Sequence, residues 1–86
     1  MEYTIVHNGA AVTVANYGTA YALIRKIPAD ASFEVVVHVT TNTGNHVVQA
    51  FSYSPKGVVG SNDLMHHTCQ KMANFLERKL QKGYVL

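Results

Sequence analysis

With 86 residues, 48% of them hydrophobic and 14% charged, the chain can bury one two-layer core and is too apolar to be disordered. Seven Lys and Arg against five Asp and Glu leave a formal charge of +2, short of the basic excess of a dedicated nucleic-acid binder. A single cysteine excludes an intramolecular disulfide framework, Met1-Glu2-Tyr3-Thr4 shows no signal-peptide pattern, and no apolar run approaches the roughly 20 residues that span a bilayer. The expectation is a cytoplasmic protein, one small globular domain over 1–86, with no membrane association.

Tyr3 to His7 and Ala10 to Ala15 flank Asn8-Gly9, a two-residue hairpin signal, because both central positions of a type I′ turn need positive φ. The turn sets His7 opposite Ala10, Ile5 opposite Val12 and Tyr3 opposite Val14. Tyr3, Ile5, Val12 and Val14 then form the better core face. Asn16 to Ile27 reads as a short helix capped by Asn16 or Thr19, with Ala20, Leu23, Ile24 and Ile27 as its buried stripe and Pro28 as its end. Tyr17 and Tyr21 sit one turn apart on its flank.

Phe33 to Thr40 and His46 to Tyr53 form a second predicted hairpin around Thr41-Asn42-Thr43-Gly44-Asn45. Pairing Thr40 with His46 sets Val39 against Val47, Val35 against Phe51 and Phe33 against Tyr53, which gathers the large apolar residues on one face and so defines the register. Val36, His38, Val48 and Ala50 go to the other face. That face is apolar for one meant to meet water, so it is either covered or a binding surface. Ser54 to Gly60 reads as a loop.

The last helix is predicted over Ser61 to Lys82. Met65, Cys69, Met72, Leu76 and Leu80 recur at helical spacing. Ser61, Asn62 and Asp63 supply capping oxygens, Arg78, Lys79 and Lys82 put positive charge at the C-terminal end, and Gly83 is a stop signal. Tyr84-Val85-Leu86 is an apolar tail. The predicted fold is α+β, a two-layer sandwich in the order ββαββα, with a four-stranded, mainly antiparallel sheet and two helices on one face.

Candidate chemistry is sparse. His66 and His67 point about 100° apart on a helix and cannot share an ion. His66 with Cys69 supplies two ligands where zinc needs three or four, the others having to come from His38 or His46. Surface histidines and a core thiol account for the same residues, and no metal site is expected. Cys69 falls on the buried stripe, whereas a reactive thiol needs partial exposure. Gly57-Val58-Val59-Gly60-Ser61 has backbone N–H groups for an anion but is not a Walker A sequence, and a plain loop with an N-cap explains it as well. Glu34 and His38, four apart on one strand, are about 13 Å apart. With no triad and no paired carboxylates, neither an enzyme nor a cofactor is expected.

A near-neutral module with five tyrosines and an apolar open face favours recognition of another macromolecule. The first expectation is a small non-enzymatic protein-binding module using Val36, His38, Val48 and Ala50. Its role would be that of a phage or mobile-element inhibitor or adaptor of a host protein, and in small size and lack of motifs the chain is similar to anti-CRISPR proteins. A homodimer through the same face is compatible with this. The alternative is nucleic-acid binding by His67, Lys71, Asn74, Arg78 and Lys82, which run down one edge of the last helix. A solvated helix face gives the same row. Strands leading into a capped helix also resemble, in order, a double-stranded-RNA-binding domain. That fold begins with a helix and carries a basic cluster where this chain has Ser61-Asn62-Asp63.

Overall fold

The computed structural model describes residues 1–60 and 69–82. Strands β1 (Glu2–His7) and β2 (Ala10–Val14) lead to helix α1 (Tyr17–Arg25). Strands β3 (Phe33–Thr40), β4 (His46–Ser54) and β5 (Gly57–Gly60) then precede helix α2 (Gln70–Lys82). The five strands make one antiparallel sheet in the order β2-β1-β3-β4-β5.

Both predicted hairpins form in the predicted register. At the first turn Asn8 has φ 52° and Gly9 φ 77°, and Tyr3 pairs with Val14, Ile5 with Val12 and His7 with Ala10. In the second, Phe33 pairs with Tyr53, Val35 with Phe51 and Thr40 with His46. The Thr41–Asn45 connection closes through a Thr41 N–H to Asn45 carbonyl bond of 2.8 Å.

Among the described residues, the expectation of four strands in ββαββα order is corrected to five strands in ββαβββα order. Residues 57–60 are not a loop: Gly57 pairs with Ser54 and Gly60 with Phe51, so β5 is an edge strand. The turn that makes it is Ser54-Pro55-Lys56-Gly57, with Ser first, Pro second and Gly fourth, the preferences of a type I turn. The reading of residues 57–61 as an anion cradle loses its loop for the same reason. The predicted caps Ser61, Asn62 and Asp63, Met65, the stop at Gly83 and the tail Tyr84-Val85-Leu86 lie outside the described residues.

The two helices pack on the same face of the sheet. Inward side chains of the central strands, Tyr3, Ile5, Phe33, Val35, Val37, Phe51 and Tyr53, share one core with Ala20, Ile24 and Ile27 of the α1 region and with Met72, Ala73, Phe75 and Leu76 of α2. Full burial of each large side chain contributes roughly 1.5–3 kcal/mol. Helix α1 starts at Asn16, whose Oδ1 accepts from Thr19 N at 2.8 Å, a cap that stabilises by about 1 kcal/mol. Tyr21 bridges the helices, its ring 4.5 Å from that of Phe75 and beneath the Arg25 guanidinium at 5.2 Å. Val12 points toward the helical layer yet stays 48% exposed, because β2 lies at the sheet edge.

Lys79 departs most from expectation. Expected among the surface charges at the helix end, it is fully buried, and its Nζ donates to the Ile27 carbonyl at 2.7 Å. That carbonyl lies just past the C-terminus of α1, where a cation is favoured by the helix dipole. Burial pushes the Lys79 ammonium below its ordinary value of 10.5, since removal from water penalises the charged form. Lys79→Ala, which also removes the packed stem, should cost about 2–4 kcal/mol in urea unfolding, and Lys79→Met, which keeps it, clearly less. The unfolded lysine stays protonated to about 10.5 while the buried one releases its proton earlier, so in that window the unfolded chain binds more protons. Wild type should therefore gain stability over Lys79→Met as pH rises toward 10.5, in parallel urea titrations at several pH values.

Candidate functional site

Strand alternation leaves the sheet face opposite the helices without a covering element among the described residues. Register sets Val36 opposite Ala50 and His38 opposite Val48, so all four residues expected there share that face. Val36, His38 and Ala50 are half-buried by neighbouring side chains, while Val48 is 43% exposed. The same face carries Thr4 and Val6 of β1, with Thr4 bonded to Thr13 of β2 at 2.9 Å between hydroxyl oxygens. It also carries Val59, opposite Ser52 and 68% exposed. Sequence reasoning missed Val59 because its strand was read as a loop.

His46, also missing from the expected site, lies on this face too. It pairs with Thr40, one step along from the His38–Val48 pair, so the two imidazoles meet diagonally across β3 and β4. His38 Nδ1 and His46 Nε2 are 3.3 Å apart, with ring centroids 5.4 Å apart and planes inclined at 31°. The contact is a hydrogen bond when one ring offers an N–H and the other a lone pair, as the tautomers decide. The predicted register already held this pairing, since both residues alternate onto the face of Val36.

On α2, Lys71, Asn74 and Arg78 are exposed, as the basic-edge expectation requires. The Lys71 carbonyl accepts from the Tyr17 hydroxyl at 3.5 Å, and Asn74 Oδ1 accepts from Gln70 Nε2 at 2.8 Å. His67 lies outside the described residues, as does the side chain of Lys82, so the described part of the row offers two cations.

Cys69 sits just before α2, in the core layer, beside a cavity of about 340 Å³ shared with Tyr3, Tyr17 and Val37. The sheet separates it from His38 and His46, so these histidines do not join it around one ion. His66 lies outside the described residues. Burial pushes the Cys69 thiol above its ordinary 9.0, the opposite of nucleophile activation. The Tyr3 phenol is held above its ordinary 10.0, first by burial and then by the neighbouring Cys69. Glu34 is exposed, flanked in register by Val6 and Ser52. A thiol kept neutral by the fold stabilises it fully below 9.0, and this contribution is lost as pH rises from there through the raised value. Thermal melts should show the advantage of wild type over Cys69→Ala shrinking once pH passes 9.0.

Comparison with protein-family models, with curated proteins and with solved structures finds no match to this chain.

Proposed function

We propose that the protein is a small non-enzymatic protein-binding module whose contact surface is the open sheet face around Val36, His38, Val48 and Ala50. The observation that carries this is an apolar band across the central strands, widened by Val6 and Val59, that no described element covers. Hydrophobic side chains held rigidly on paired strands lose little entropy when covered, which favours recognition over their remaining in water. Within this reading the role we favour is an inhibitor or adaptor of a host protein carried by a phage or other mobile element, the anti-CRISPR class included.

Val36→Glu and Val48→Glu place a charge in that band without touching the core. Either should weaken partner capture about 30-fold or more, the ~2 kcal/mol of an interface hot spot, with an unchanged far-ultraviolet dichroism spectrum. Capture undiminished by both changes refutes the face as the contact surface.

A second reading, nucleic-acid binding, has one observation in its favour: Lys71, Asn74 and Arg78 are exposed along one edge of α2. It predicts retention of nuclease-sensitive material that falls steeply between about 50 and 200 mM salt and with Lys71→Glu or Arg78→Glu. Binding unchanged by salt and by both substitutions excludes it.

A further inference from the structure

We propose that His38 and His46 are half of a divalent-metal site and that a second copy of this chain, docked on the open face, supplies the other half. This rests on that face being a protein-contact surface, and the contact it names is a homodimer rather than the complex with a host protein.

The first argument is a distance. Two nitrogen ligands about 2.0–2.1 Å from a tetrahedral zinc ion are separated by roughly 3.3–3.4 Å. His38 Nδ1 and His46 Nε2 are already 3.3 Å apart. The two residues sit diagonally across paired strands, and their side chains bring the two nitrogens to the separation that one ion requires. The ring that donates the present N–H changes tautomer, carrying its proton on the other nitrogen, and both facing nitrogens then present lone pairs.

The second argument is ligand number. Among the described residues no three His, Cys, Asp or Glu side chains gather into a site. The pair therefore leaves two of four tetrahedral positions open. A two-fold axis through the ion fills both with the same pair from a second copy, since an isologous contact repeats each residue on both sides. The surroundings suit this arrangement. Val48, directly opposite His38, is 43% exposed, and Val36 and Ala50 form the next pair along the strands. A two-fold contact at the histidines brings these apolar neighbours together as well. A single ion with water in the remaining positions would leave them in water.

The test uses the full chain with zinc chloride, cobalt chloride or EDTA, read by light scattering during size-exclusion chromatography, by metal content and by visible absorption. Zinc should double the mass at one ion per two chains, and EDTA should restore the monomer. Cobalt should give the intense visible bands of a tetrahedral site. His38→Ala and His46→Ala should each weaken zinc-dependent dimerisation at least tenfold, while His7, His66 and His67 stay in place. Far-ultraviolet dichroism should be unchanged in both variants.

A monomer with or without zinc, one ion per chain without dimerisation, or cobalt bands that persist in both variants each overturns the proposal. A dimer that persists in EDTA and in both histidine variants but is lost in Val48→Glu overturns the metal bridge alone and leaves the open face as a contact surface. Loss of zinc dimerisation in the histidine variants, with Val36→Glu and Val48→Glu dimerising as wild type does, upholds the metal bridge and overturns the apolar band as the contact surface.

Discussion

The pairing of β3 with β4 is the constraint from which the rest of the molecule follows. These are adjacent strands of the five, and their register puts Phe33, Val35 and Val37 beside Tyr53, Phe51 and Gln49 on one side. The Phe33 and Tyr53 rings stack at 4.6 Å, and the Tyr53 hydroxyl donates to the Ala29 carbonyl at 3.3 Å, holding the segment between α1 and β3 against the sheet. A slip of β3 by one residue would turn Phe33, Val35 and Val37 to water and Glu34 and Val36 into the core. The same alternation that builds the core sends Val36, His38, His46, Val48 and Ala50 outward. Core and candidate site are two sides of one register, and neither can shift without the other.

Placing both helices on one side follows from how they are tied together. An aromatic run passes from Tyr3 on β1 through Tyr17 and Tyr21 on α1 to Phe75 on α2, with centroid separations of 6.2, 6.0 and 4.5 Å. Lys79 adds a polar contact at the other end by binding the carbonyl that follows α1. A lysine is costly to bury, but its four-carbon stem packs as an apolar side chain and its ammonium meets a helix end that attracts cations. The helical layer is thus fastened to itself as well as to the sheet.

Much of this is written in local sequence, because short-range chemistry decided it. Asn8-Gly9 forced the first turn, and Asn16 had the side chain and the position to cap α1. The spacing of Phe33, Val35, Phe51 and Tyr53 allowed one register. Strand β5 escaped because two valines between glycines carry no periodicity. Its evidence was instead the turn pattern of Ser54-Pro55-Lys56-Gly57. Lys79 escaped for a different reason. It lies three residues after Leu76 and seven after Met72, on the buried stripe, but periodicity sorts residues by type and a lysine is counted as surface. Only the position of Ile27, fifty-two residues earlier in the chain, shows what it bonds. The His38–His46 contact was implicit in the predicted register, yet it emerges only when diagonal as well as directly opposed neighbours are considered.

The open face also poses an energetic question that bears on how it works. Its exposed and half-exposed apolar side chains, Val6, Val36, Val48, Ala50 and Val59, are small. Already partly covered by neighbours, each has on the order of 1 kcal/mol or less to gain from a partner. Their sum is at or below the roughly 4–15 kcal/mol that association costs in lost freedom. A valine band of this kind cannot hold a stable complex alone. It needs either a partner that brings large anchors of its own or a directional bond within the patch. The first solution leaves the histidines incidental. The second uses them, because coordinate bonds to a metal are strong and fixed in angle, and they turn a weakly adhesive surface into one with a defined orientation. That the face carries a pair of imidazoles at metal-ligand spacing is the physical ground for preferring the second.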